Sequence, residues 1–208
     1  MEHGPPDAAG PPGGLDASPL RIEYSADALE AVRAAAVDGL YKLIRGGLDV
    51  GGLLLGRNDG GAVRILDSRP IACEHALGPS FLLSANDEAA LDTQLASLAS
   101  ETESSGLTLA GWYRSNTRGG LRLTAEDIAL WDRCCPQPWQ VALVLHPERL
   151  KPTRAAFFVR PPGGWAGEPA PFLVVELSPP VKSPPVPATP PPPPPAEAPQ
   201  DGAESPTA

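Results

Sequence analysis

The segment from Leu107 to Asp127 constrains the fold more than any other part of the chain. Leu107–Tyr113 is a short apolar run ending in two aromatic residues, the pattern of a buried strand. Arg114–Gly120 is polar and closes on a glycine pair, so it is expected to leave the strand's carboxyl end as a loop. Thr124-Ala-Glu-Asp127 stands just ahead of an apolar helical pattern. There the Thr hydroxyl and the Asp carboxylate can satisfy the N–H groups that a first helical turn leaves open. A strand, a polar loop and a capped helix in that order gather hydrogen-bonding side chains at one sheet end, a position suited to a site.

Proline sets how much of the chain can share that fold. The 28 prolines and 21 glycines of the 208 residues sit mainly at the two ends. Residues 1–19 have little to bury and are expected to be a disordered lead-in. Composition changes again at Ser178, and the unbroken run Pro190–Pro195 favours polyproline II, so residues 178–208 read as a Pro-rich disordered tail. Within it, Pro187-Ala-Thr-Pro190 fits a PxxP pattern, leaving the tail either a spacer or a docking segment for a PxxP reader. Residues 20–177 remain, enough for one domain with a real core.

Periodicity divides that domain into alternating elements. Leu20–Tyr24 reads as a strand, and Ser25 caps a helix carrying Leu29, Val32, Ala36, Leu40 and Ile44 on one face, closed by Gly46-Gly47. Leu48–Gly56 reads as a Gly-studded strand joined through Asn58-Asp-Gly-Gly61 to a strand at Ala62–Leu66. Pro70–His75 reads as a further strand or extended edge, and Phe81–Ser84 as another short strand. A second helix starts at Ser84 with Leu91, Leu95 and Leu98 on one face and ends by Gly106. The third follows Asp127 with Ile128, Leu130 and Trp131, and stops at Pro136 and Pro138. Gln140–Leu145, Ala155–Val159 and Phe172–Leu177 complete the strands, with a turn at Pro161–Gly164 between the last two. Together these predict an α/β domain, a mixed central sheet flanked by helices.

Charge and cysteine usage narrow the partners. A formal charge of −9 argues against nucleic acid or an anionic membrane held through bulk electrostatics. No apolar run reaches the roughly 18 residues of a membrane span, and no basic-then-apolar leader is seen. Cys134 and Cys135 are adjacent and Cys73 is alone, which is no disulfide framework and suits a reduced, cytoplasmic protein.

The Leu107–Asp127 segment resembles the JAMM/MPN (JAB-domain) metalloprotease family, whose motif is a His-Ser/Thr-His triplet followed by a Ser and an Asp. On this chain the two histidine positions fall on Arg114 and Asn116, the Ser on Thr124 and the Asp on Asp127. Asp49-Val-Gly-Gly-Leu-Leu-Leu-Gly56 is similar to a second family segment, where a Glu precedes a Val-x-Gly-Leu-x-Leu-Gly type of strand and acts as general base. Asp49, one methylene shorter, takes that place. The resemblance covers roughly residues 20–177 and implies a curved sheet flanked by helices.

The spacing is kept and the zinc ligands are not. Arg cannot donate a lone pair, and an Asn carbonyl suits harder cations than zinc. Asp127 alone leaves the donor set short of the three that a catalytic zinc needs. Thr124 and Asp127 also serve as helix cap, and Asp49 can simply end a loop. With the family geometry, Arg114 is expected to project toward Asp127 and Asp49 and to supply a fixed charge where the metal would sit. The loop Arg114, Ser115, Asn116, Thr117 and Arg118 has the donors to read a carboxylate, such as a peptide C-terminus.

Cys73 and His75 are the nearest candidates for a rebuilt metal site, against the plainer reading of a strand-edge histidine. The resulting expectation is a non-catalytic binding or scaffold module with neither catalytic residues nor a cofactor. Its implied partner is a protein, either another MPN-like domain or a second copy. The competing expectations are a JAMM-type peptidase or isopeptidase holding zinc through non-family ligands, and an adaptor acting through its Pro-rich tail.

Overall fold

The structure, a computed structural model, describes residues 20–163 and 169–178; the N-terminal lead-in and the Pro-rich tail with its PxxP segment lie outside the described residues, except for Ser178. The elements run β1 (Arg21–Tyr24), α1 (Ala26–Tyr41), β2 (Gly51–Asn58), β3 (Ala62–Ile71), α2 (Ala85–Ser105), β4 (Thr108–Ser115), α3 (Ala125–Cys134), β5 (Val141–His146), β6 (Thr153–Val159) and β7 (Leu173–Leu177). The strands form one mixed sheet in the order β1-β3-β2-β4-β5-β6-β7. β1/β3 and β4/β5 are parallel and the other pairs antiparallel. The sheet is curled, so that Tyr24 on the edge strand β1 stacks on Phe157 of β6 with ring centroids 5.9 Å apart.

Period-two alternation of the strands makes two cores, one on each face. Trp112, Leu53 and Phe158 pack with Leu91 of α2 and Trp131 of α3. Their chain neighbours Tyr113, Leu54 and Phe157 pack on the other face with Leu29 and Val32 of α1. Because helices cover both faces, the central strands are apolar throughout rather than alternating with polar residues. Gly56 sits where the β2–β3 register shifts, and a Cβ there would lie 1.7 Å from the Arg64 carbonyl oxygen. No side chain fits the bulge.

Most predicted elements are present, with several corrections, and the turn read at Pro161–Gly164 leaves the described residues at Gly164. The first helix ends at Tyr41 rather than continuing through Ile44, which is 94% exposed. Leu48 N–H donates to the Gly39 carbonyl at 2.8 Å, drawing the chain back across the helix end through Gly46 and Gly47, both left-handed (φ 77° and 62°). β2 starts at Gly51, three residues later than read from sequence, because residues 48–50 make this return. The two segments expected as separate strands at Ala62–Leu66 and Pro70–His75 are one strand ending at Ile71. Pro70 fits inside it because β1 pairs only with Ala62–Ile65, so the far side of β3 is open at Pro70.

Phe81–Ser84 is not a strand. Phe81 is buried as a plug whose ring would lie 2.5 Å from any Cβ at Gly51, so its apolar character reflects burial and not pairing. The central strand extends two residues past its apolar run, taking Arg114 and Ser115 into β4.

Both caps read from sequence are present: the Ser25 side chain accepts from Ala28 N–H at α1, and Thr124 and Asp127 form a reciprocal capping box at α3. Ser84 and Asp87 form a second capping box at α2. Thr124→Ala should therefore cost about 1 kcal/mol in chemical denaturation. A loss under about 0.3 kcal/mol would mean that the hydroxyl adds nothing to the box.

Candidate functional site

The carboxyl end of β4 lies between β2 and β5, with Arg114 opposite Gly51 on one side and Val144 on the other. Strand alternation places its side chain on the Trp112 face, toward the start of α3. There Arg114 Nη2 lies 2.7 Å from Asp127 Oδ2, with both side chains 6% exposed. Asp127 Oδ2 also accepts from the Thr124 N–H at 2.7 Å, so one carboxylate closes the helix cap and neutralises the guanidinium. Arg114 makes longer contacts with the carbonyls of Ser115 (3.5 Å) and Arg122 (3.3 Å), and its buried Nε has no hydrogen-bond partner. Burial pushes the Asp127 carboxyl above its ordinary value, against the downward pull of Arg114 and the Thr124 amide.

Asp49 is brought to the same cleft but is held by different groups. Its Oδ1 accepts from both Thr117 N–H (2.8 Å) and Thr117 Oγ1 (2.9 Å). Its nearest cation is Arg118, whose Nη1 is 4.0 Å from Oδ2, not Arg114. Of the remaining predicted loop residues, Ser115 and Asn116 are buried and Arg118 stays exposed. Ser115 exchanges two hydrogen bonds with Val50, its N–H donating to the carbonyl at 2.7 Å and its Oγ accepting from the N–H at 2.9 Å. Asn116 donates its N–H to Leu145 O and accepts from Gly119 N–H at Oδ1, both at 2.7 Å. Arg118 Nη2 donates to Gly47 O at 2.6 Å. These bonds tie the 47–50 return, the end of β4 and the following loop into one rigid floor.

Above that floor is a cleft of about 410 Å³, lined by Asp49, Arg114, Asn116, Arg118, Thr124 and Asp127 among others. It shares Phe81, Leu82, Glu126 and Asp127 with a neighbouring groove of about 420 Å³. That groove is mainly apolar, with Leu77, Leu83 and Leu130 in its walls. Sequence reading missed the Phe81–Leu82 wall, because an apolar run before a capped helix imitates a strand. It also passed over Arg122 and Glu126, whose cleft positions depend on how the loop folds back.

The donor chemistry does not reproduce a zinc site. The two positions matched to histidines hold a guanidinium already engaged by Asp127 and an amide engaged by Gly119. Cys73 Sγ lies 3.8 Å from His75 Nδ1, but the thiol is pushed up by burial, also approaches the Leu82 carbonyl, and packs against the α2/α3-side core. His146 Nδ1 is 2.6 Å from the Asn116 carbonyl oxygen. Among the described residues, no group of three or more His, Cys, Asp and Glu side chains is placed to hold a metal ion.

The fold and the site define an α/β domain with a buried Arg–Asp pair at the floor of a polar cleft. No protein-family model matches the chain, and no curated protein does. Among solved structures it is similar to the solution structure of a protein from Desulfitobacterium hafniense, at 20% identity and TM-score 0.48, over 74% of this chain and 88% of that one. It is also similar to the solution structure of a protein from Salinibacter ruber, at 18% identity and TM-score 0.44, over 79% of this chain and 95% of that one.

Proposed function

We propose that this domain is a non-catalytic binding or scaffold module of the JAMM/MPN type, in which a fixed guanidinium stands where the family holds its metal. One observation carries the reading: Arg114, at the first histidine position of the motif, is buried against Asp127, the retained acidic position, at 2.7 Å. An arginine has no lone pair to give, and its positive charge opposes a second cation in the same space. The strand–loop–capped-helix order and the curled mixed sheet with three helices agree with the resemblance. Asp49 is committed to Thr117, which leaves its carboxylate poorly placed to activate a water.

In this reading the cleft and its apolar neighbour bind and position a protein partner, another domain of the same kind or a second copy. The Pro-rich tail adds a site for a PxxP reader. The setting is cytoplasmic, on the cysteine usage. Among the described residues no helix is long and apolar enough to cross a membrane.

Metal content of the purified protein, with thermal melts in zinc and in chelator, tests the proposal. A metal that binds only the folded state raises the melting temperature. The expected result is no stoichiometric zinc and the same melting temperature in both conditions. Near-stoichiometric zinc, lost together with stability on chelation, would overturn it in favour of a metallopeptidase with non-family ligands.

A further inference from the structure

Two neighbouring segments carry exposed apolar side chains, and each is bracketed by cations. From the last residue of α1 the chain runs Tyr41-Lys42-Leu43-Ile44-Arg45, with Tyr41 53%, Leu43 41% and Ile44 94% exposed. Between β5 and β6 it runs Arg149-Leu150-Lys151, with Leu150 100% exposed. Leu150 is also left-handed at φ 62°, a conformation disfavoured for a branched side chain and a mark of functional positions. Arg149 fastens the loops together. Its guanidinium lies 5.0 Å from the centre of the Tyr41 ring, and its Nη2 donates to the Ile44 carbonyl at 3.3 Å.

The cations of this surface are nearly free. Lys42, Arg45 and Arg149 have no ion-pair partner among the described residues, and Lys151 pairs only with Glu148 three residues before it, at 3.2 Å. The surface therefore reverses the sign of a chain whose net charge is −9. Bulk electrostatics would repel an anionic partner at long range, but a local patch dominates within a Debye length of about 8–10 Å.

The same surface of a second copy would set like charges against like, so self-pairing is disfavoured. An acidic protein would need an apolar pocket ringed by carboxylates to match both features. A lipid interface offers acyl depth beneath a layer of phosphates and requires no matched shape. We propose that the Tyr41–Arg45 and Arg149–Lys151 loops dock the domain on an anionic membrane surface. Leu43, Ile44 and Leu150 enter the headgroup–acyl boundary, and Lys42, Arg45, Arg149 and Lys151 lie at the level of the phosphates. The cleft is not involved, so this inference stands apart from the metal question.

Co-sedimentation of the full chain with phosphatidylcholine vesicles, with and without phosphatidylserine, tests it at low and high salt. Binding is expected only with phosphatidylserine and should weaken as salt rises. Ile44→Glu with Leu150→Glu should reduce it about tenfold or more, and Lys42→Gln or Arg45→Gln about fivefold each. Because these side chains are exposed, the melting temperature should not change. Failure to bind either vesicle overturns the proposal, as does capture of an acidic protein with no vesicle binding. So does unaltered binding by the Ile44→Glu/Leu150→Glu variant, which would place the lipid contact elsewhere.

Discussion

Replacing Arg114 by methionine is expected to destabilise the fold by about 3–5 kcal/mol at neutral pH, although the new side chain is apolar and of similar length. The loss comes from what stays behind. Asp127 is 5% exposed, and without Arg114 its carboxylate would be a buried charge left with the Thr124 backbone N–H to support it. Arg114→Met combined with Asp127→Asn should recover most of the loss, because the amide oxygen can still accept from Thr124 N–H and carries no charge. A double-variant loss equal to the sum of the two single-variant losses would show that the two residues act independently.

The same argument predicts a pH dependence. Burial already holds the folded carboxyl of Asp127 above its ordinary value, and removing the cation raises it further. For an acid raised in the folded state, the contribution to stability is intact below the unfolded pKa and is lost as pH rises through the folded one. The deficit of the Arg114→Met variant should therefore shrink as the pH falls from neutrality toward about 4, the unfolded range of an aspartate. Denaturation of variant and parent side by side reads this directly. A deficit that grows on acidification would mean that Asp127 is not the group left behind.

Much of this site was legible because its parts are local. Thr124 and Asp127 announce a helix start by type and spacing, and Arg114 follows an apolar run that only a strand explains. Strand alternation then places Arg114 on the face that meets α3. The partner of Asp49 was not legible, because its choice of Thr117 over Arg114 depends on how two distant segments meet. Phe81 was misread for a related reason: composition reports burial, whereas strand identity requires a neighbour to pair with. Ile44 misled in the opposite direction. It continues the helical period of α1, yet Gly39 and Gly47 let the chain double back and leave it in solvent. What failed was long-range closure rather than local propensity.

Trp112 is where the second large effect is expected, since the strand that delivers Arg114 depends on it. It is fully buried one turn of the pleat before Arg114, between β2 and β5, and packs with Leu53, Phe158 and Trp131. Trp112→Ala should cost about 3–5 kcal/mol, because the surrounding sheet and helices are too constrained to fill the cavity. Trp112→Phe should behave differently. The indole Nε1 is buried without a hydrogen-bond partner, a group that costs about 1–3 kcal/mol when unsatisfied. Phenylalanine removes that donor and keeps most of the ring volume, so a net loss below about 1.5 kcal/mol is expected. Chemical denaturation of both variants separates packing from polarity. If Trp112→Phe were as damaging as Trp112→Ala, the Nε1 donor would have a partner in solution, such as a bound water, and the core beneath the Arg114–Asp127 pair would be held partly by a hydrogen bond rather than by packing alone.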